Sequence, residues 1–185
     1  MQKQLYSEEE VIEQLRDPAK QRQAFTWVVD FYAEKLYWQI RRMVLDHDDA
    51  NDILQNTFMK AWENIDYFRG DAKLSTWLYK IAFNECMTFL AHQRALNNVS
   101  IDDADSPMLE HLRGDVYFDG DETQLKLQQA VLSLPEKQRA VFNMKYYDDM
   151  KYEDMSEILG TSVGALKASY HFAVKKVSDF LTKDI

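Results

Sequence analysis

The chain predicts an all-α protein: two small helical domains joined by an acidic, largely irregular linker, the C-terminal one a helix-turn-helix. Three observations predict this. Apolar residues recur at spacings of three and four along nearly every ordered stretch, and no alternating run is long enough for a strand. The helical pattern fails from about 97 to 123, where Asp, Ser, Pro and Gly accumulate. The acid is concentrated there as well. Between 100 and 124, eight carboxylates (Asp102, Asp103, Asp105, Glu110, Asp115, Asp119, Asp121 and Glu122) face Arg113 alone, which is −7 of the formal net charge of −9. The expected division is 1–97, a linker 98–124, and 125–185.

Taken in order, Ser7 followed by Glu10 has the spacing of a capping box and opens a short helix to about Arg16. Asp17 and Pro18 supply an N-cap and a proline at the first helical position of the next. Phe25, Val28, Val29, Tyr32, Leu36, Ile40 and Met43 make that helix long and amphipathic. A third follows "DHDD", with Ala50, Ile53, Leu54, Phe58, Ala61, Trp62 and Ile65 on one face. Gly70 breaks the pattern in "DYFRGDAKLST". A fourth helix turns Trp77, Leu78, Ile81, Ala82, Phe89 and Leu90 inward. Beyond the linker, helices are expected at Leu125–Leu132, Glu136–Tyr147, Tyr152–Leu159 and Ser162–Leu181.

Composition narrows the function classes. A hydrophobic share of 46% with five Gly and three Pro in 185 residues supports packed cores. No apolar run approaches the ~18 residues of a membrane span, and the acidic start "MQKQLYSEEEVIEQL" is unlike a signal peptide. Cys86 is the single cysteine. These features lead us to expect a soluble cytoplasmic protein. His47, His92, His111 and His171 are scattered, with no paired metal-ligand spacing and no Gly-rich phosphate loop, so neither a metal, a cofactor nor catalysis is expected. Because most of the excess acid lies in the linker, the acidic balance leaves a nucleic-acid partner open.

The C-terminal helix pair has the punctuation of a helix-turn-helix: Gly160 ends "YEDMSEIL" and Ser162 can cap the next helix. On a wheel of about 100° per residue, Leu166, Tyr170, Ala173, Val174 and Val177 fall on one side. Gly164, Ala165, Ala168, His171, Phe172, Lys175 and Lys176 fall on the other, flanked by Lys167 and Ser169. Small residues let a backbone approach base edges, and Phe172 suits a thymine methyl. The lysines suit phosphates, which position rather than specify. The plainer reading is a surface helix with a few lysines. No arginine stands on this helix to fork onto guanine.

In the N-terminal half, "FRGDAKLSTWLYKIAFNECMTFL" interleaves Phe68, Trp77 and Phe83 with Arg69, Lys73, Lys80 and Asn84. Tyr79, Lys80, Phe83, Asn84 and Met87 lie off the core stripe. Rings stack on unpaired bases, cations hold the backbone and an amide reads a base edge, as a single-stranded site requires. The alternative is that the rings are core, which suits Trp77 well and Phe83 equally with the first reading.

Together, "DDANDILQNTFMKAWENI", the stretch just quoted and "LSLPEKQRAVFNMKYYDDMKYEDMSEILGTSVGALKASYHFAVKKV" resemble the two conserved regions of an extracytoplasmic-function (ECF) sigma factor, the small bacterial specificity subunit of RNA polymerase. The likeness covers about 20–95 and 125–182. It implies that the helix from Asp49 to Ile65 docks on core RNA polymerase through Asp52, Gln55, Asn56, Lys60 and Glu63. It also implies that the Phe68–Thr76 loop and the helix after it capture a flipped minus-ten base, Phe68 and Asn84 matching pocket positions. The last helix, from Ser162, would read the minus-thirty-five element, and the linker would thread toward the polymerase cleft. The further partners implied are promoter DNA and an anti-sigma factor, often membrane-anchored, holding the domains closed. Two rivals are a stand-alone helix-turn-helix regulator and a helical adaptor whose exposed aromatics bind protein.

Overall fold

The computed structural model describes residues 7–97 and 122–182. Most of the expected linker, 98–121, lies outside the described residues. Among those described there are eight α-helices, one 3-10 turn and no strand.

Helix α1 (Glu8–Arg16) opens on the predicted capping box: the Glu10 N–H donates to Ser7 Oγ at 3.2 Å and the Ser7 N–H to Glu10 Oε2 at 3.1 Å. Helix α2 (Gln21–Val44) begins later than Asp17–Pro18 suggested. Asp17 Oδ1 takes the Ala19 N–H at 3.0 Å and its carbonyl takes those of Lys20 and Gln21, so 17–20 is a turn feeding the helix. The chain reverses at Leu45, a buried non-glycine residue in the left-handed region at φ 65°. Asp46 then caps α3 (His47–Glu63), accepting the N–H groups of Asp48 and Asp49 at 2.8 and 2.9 Å. A 3-10 turn, Ile65–Tyr67, leads through a loop to α4 (Leu74–Asn97). The Leu74 N–H is satisfied from afar, by Glu8 Oε1 at 2.6 Å.

The second half comprises α5 (Glu122–Leu132), α6 (Glu136–Tyr146), α7 (Tyr152–Leu159) and α8 (Val163–Thr182). Gly160, at φ 62°, ends α7, and Ser162 Oγ accepts the Ala165 N–H at 3.3 Å to start α8. Helix α8 packs on α5, α6 and α7, burying Ala130, Val131, Leu134, Phe142, Ala173 and Val177 together. Arg139 is buried and donates through Nη2 to the carbonyls of Leu132 and Leu134, at 2.9 and 3.3 Å, and through Nη1 to the Met43 carbonyl of α2, at 3.5 Å. Val174, expected inward, is 41% exposed. It lies at the rim of a narrow stripe whose own Tyr170 is only half-buried.

The two halves are closed on one another. One apolar core runs from Val11 through Leu36, Leu78 and Leu90 into Ala140, Met144, Met155 and Ile158, because α6 packs on α2 and α7 on α4. At this seam Tyr79 is buried and Met87 half-buried, although both lie off the core stripe, and Phe83, which suited either reading, is half-buried. Periodicity reports the stripe facing the first partner, and the C-terminal half covers a second one.

Candidate nucleic-acid interface

Helix α3 presents Asp52, Gln55, Asn56, Lys60 and Glu63 to solvent while Ala50, Ile53, Thr57 and Ala61 face inward. Thr57 is tolerated inside because its hydroxyl donates to the Ile53 carbonyl at 2.8 Å. Lys60 Nζ reaches Glu85 on α4 at 2.5 Å, so this lysine is also tied to the neighbouring helix. Sequence reasoning passed over Met59, which is 55% exposed in the middle of this polar face. An apolar residue at the spacing of the polar stripe, between Gln55 and Glu63, was the available signal.

The loop between the 3-10 turn and α4 is pinned by residues far away in the chain. Gln21 Nε2 donates to Asp66 Oδ1 at 2.8 Å, and Arg16 Nη2 to the Arg69 carbonyl at 2.6 Å. Gly70 turns the chain at φ 77°, where a Cβ would stand 3.1 Å from Arg16 Nη2, so glycine suits both the backbone and the close approach. Phe68 is 8% exposed, its ring 4.9 Å from that of the half-buried Trp77. A ring expected to meet a base thus forms a wall of the loop here, because the turn before it rotates Phe68 inward.

Arg69, Lys73, Lys80 and Asn84 are exposed. Lys73 is engaged across the seam: its Nζ lies 3.0 Å from both carboxylate oxygens of Asp154 on α7, which raises the lysine pKa. Phe83 lines a small gap at the seam with Gln39, Met43, Cys86, Asn143 and Met144. Arg42 crosses the seam too, donating to Asp148 at 2.9 Å with its guanidinium 4.5 Å from the Tyr147 ring centre. Arg94 and Glu136 form a third ion pair between the halves.

The seam is polar and imperfectly matched. Gln39 Oε1, Asn143 Oδ1 and Asp148 Oδ2 are buried without hydrogen-bond partners, and desolvation pushes the Asp148 carboxyl up, against the pull of Arg42. Each such buried acceptor costs about 1–3 kcal/mol. Burial also pushes the Tyr79 hydroxyl up to about 12, so it stays neutral beside this pair.

On α8, Ser162, Gly164, Lys167, Ala168, His171, Phe172, Lys175 and Lys176 all face solvent, with Ser169 half-buried at the edge. Phe172 is 56% exposed in the middle of that face. Lys167 Nζ lies 5.7 Å from the Tyr152 ring centre, which steadies the lysine at the start of the helix.

Two family models match the chain: Sigma-70 region 2 over residues 28–96 and Sigma-70 region 4 over 124–177. The ECF RNA polymerase sigma factor SigW of Bacillus subtilis is 33% identical over 156 residues, spanning 80% of this chain and 83% of the relative. The chain belongs to the ECF RNA polymerase sigma factors. The ECF sigma-E factor of Escherichia coli is 29% identical over 155 residues, 80% of this chain and 81% of the other. Among solved structures, CnrH in complex with the cytosolic domain of CnrY superposes with a TM-score of 0.69 at 22% identity, covering 95% of this chain and 97% of that one. RpoE of Bartonella quintana with the anti-sigma factor NepR gives 0.66 at 21%, over 87% and 98%. These two likenesses concern the fold. As an ECF sigma factor, the protein directs core RNA polymerase to specific promoters and initiates transcription by capturing melted minus-ten DNA. No helix among the described residues is long and apolar enough to cross a membrane.

Proposed function

We propose that this sigma factor works in the cytoplasm by offering three surfaces, with no bond chemistry of its own. The exposed face of α3, from Asp52 to Glu63, docks on the polymerase, with Met59 as its apolar centre. The pinned loop and α4 hold an unpaired minus-ten base. Asn84 supplies the hydrogen bonds to its edge, Phe68 and Trp77 form the wall behind it, and Arg69, Lys73 and Lys80 hold phosphates. Helix α8 reads the minus-thirty-five element, Phe172 and the small residues meeting base edges, Lys167, Lys175 and Lys176 the backbone. Extruding a base costs a few kcal/mol, and stacking plus hydrogen bonds offset it. The two modest readouts add because the polymerase fixes their spacing.

The closed arrangement governs when this happens. Lys73, Tyr79 and Phe83 are engaged by the C-terminal half, so minus-ten capture requires the halves to part. Two relatives of the same fold were solved with partner proteins, NepR being an anti-sigma factor. An anti-sigma factor that binds across the seam would hold this chain closed.

The observation that carries the minus-ten assignment is Asn84: an exposed amide on α4, the helix that follows the loop pinned by Arg16 and Gln21. Because it packs against nothing essential, Asn84→Ala separates recognition from folding, which Phe68→Ala would not. In run-off transcription with purified core polymerase, Asn84→Ala should lower open-complex formation by roughly tenfold or more while polymerase binding stays unchanged. Unaltered transcription would remove the base-capture assignment.

A further inference from the structure

Tyr67 is 79% exposed, the most exposed large apolar side chain among the described residues. A single exposed ring is ordinary on a protein surface, but its mount here is not. The Tyr67 N–H donates to the Asn64 carbonyl at 3.0 Å and the Phe68 N–H to that of Ile65 at 3.1 Å, closing the 3-10 turn. Ile65 on one side is 6% exposed and Phe68 on the other 8%. Gln21 holds Asp66, and Arg16 holds the carbonyl of Arg69. The chain on both sides of Tyr67 is thus anchored, by the buried Ile65 and Phe68 and by the bonds to Asp66 and the Arg69 carbonyl, while the ring stands in solvent. Two exposed cations, Arg69 and Lys73, follow on the same loop.

We propose that Tyr67 is a stacking platform for an unpaired base of the promoter strand beside the one captured near Asn84. This deepens the minus-ten assignment and rests on it. The anchored backbone leaves only the two side-chain torsions of the tyrosine to fix on binding, and every base offers a π-face, so the contact is tolerant of sequence. It therefore adds to the ease of strand opening and leaves the choice of promoter to Asn84 and α8. Arg69 and Lys73 lie where the phosphates of that strand pass. The consecutive residues divide the work: Phe68 supports the loop from inside and Tyr67 meets the nucleic acid outside.

The test uses the full chain with purified core polymerase on a promoter selected by the wild-type protein in run-off transcription from a genomic library. Tyr67→Ala should slow opening of the duplex template by about tenfold and have a smaller effect on a template already mismatched across the melted region. Tyr67→Phe should retain wild-type opening, and both variants should bind polymerase as the wild type does. 2-Aminopurine placed along the melted strand should be quenched at one position by the wild-type chain and not by Tyr67→Ala. Unchanged opening in Tyr67→Ala overturns the proposal, as does lost polymerase affinity, which would put the ring against the enzyme instead. If Asn84→Ala cripples opening and Tyr67→Ala does not, only the platform fails. If neither matters, the minus-ten assignment falls with it.

Discussion

Helix α8 keeps Lys167, His171, Phe172 and Lys175 in water in the closed chain, whereas α4 gives up Tyr79, Phe83 and Met87 to the C-terminal half. Both helices belong to the surfaces proposed here to meet promoter DNA, yet only one of them is covered. The covered one is also the costlier to prepare, because its loop needs Glu8, Arg16 and Gln21 to hold it from up to 66 positions away. The open one is a single helix carrying its own cap. On the proposed reading, exposure of α8 is a poor guide to activity, and control would lie at the seam.

The largest expected effect separates the two halves energetically. Arg139→Ala removes a buried guanidinium that satisfies two carbonyls where α5 ends, and should cost about 3–5 kcal/mol. Hydrogen exchange should show the loss greatest in α5–α8, with α1–α4 touched mainly near Met43, whose carbonyl Arg139 also meets. Uniform loss over all eight helices would mean that the halves fold as one unit.

Opening the seam is the next test. Arg42→Ala removes both the bond to Asp148 and the cation over Tyr147, a loss of about 1–2 kcal/mol for a mostly buried pair. The radius of gyration by small-angle scattering should rise and polymerase-dependent opening should be faster. An unchanged radius would place the closure elsewhere.

The smallest effect falls on the uncovered helix. Lys175→Ala should weaken holoenzyme binding to duplex promoters by about the same factor for every sequence and reduce the salt slope by about 1. A changed base preference at constant slope would move Lys175 from phosphate to base contact.

The helices themselves were readable because each is written in local spacing, from the Ser7 capping box to the turn at Gly160. The seam was not. Tyr79 and Met87 lie off α4's main stripe, and a residue's second partner, 50 or more positions along the chain, leaves no trace in periodicity. Glu8 reads as an acidic first-turn residue, and nothing local says that it caps the Leu74 N–H. On α3 the polar face was legible and Met59 was not, since an apolar residue on a polar stripe reads as noise until its surroundings are known. The exposed face of α8 followed from its wheel, apart from Val174, where the buried stripe proved narrower than the pattern.

Cys86, the chain's single cysteine, borders the gap between α4 and α6, and burial pushes its thiol up to about 12. While the halves are together, neither thiolate nor access is available to an alkylating reagent. Each parting of the helices briefly admits one. The protein therefore carries its own gauge: in unlabelled wild-type chain, the rate at which Cys86 is modified should track the share of time the halves stand apart when reclosing outpaces the reagent, and any protein that clasps them shut should slow it.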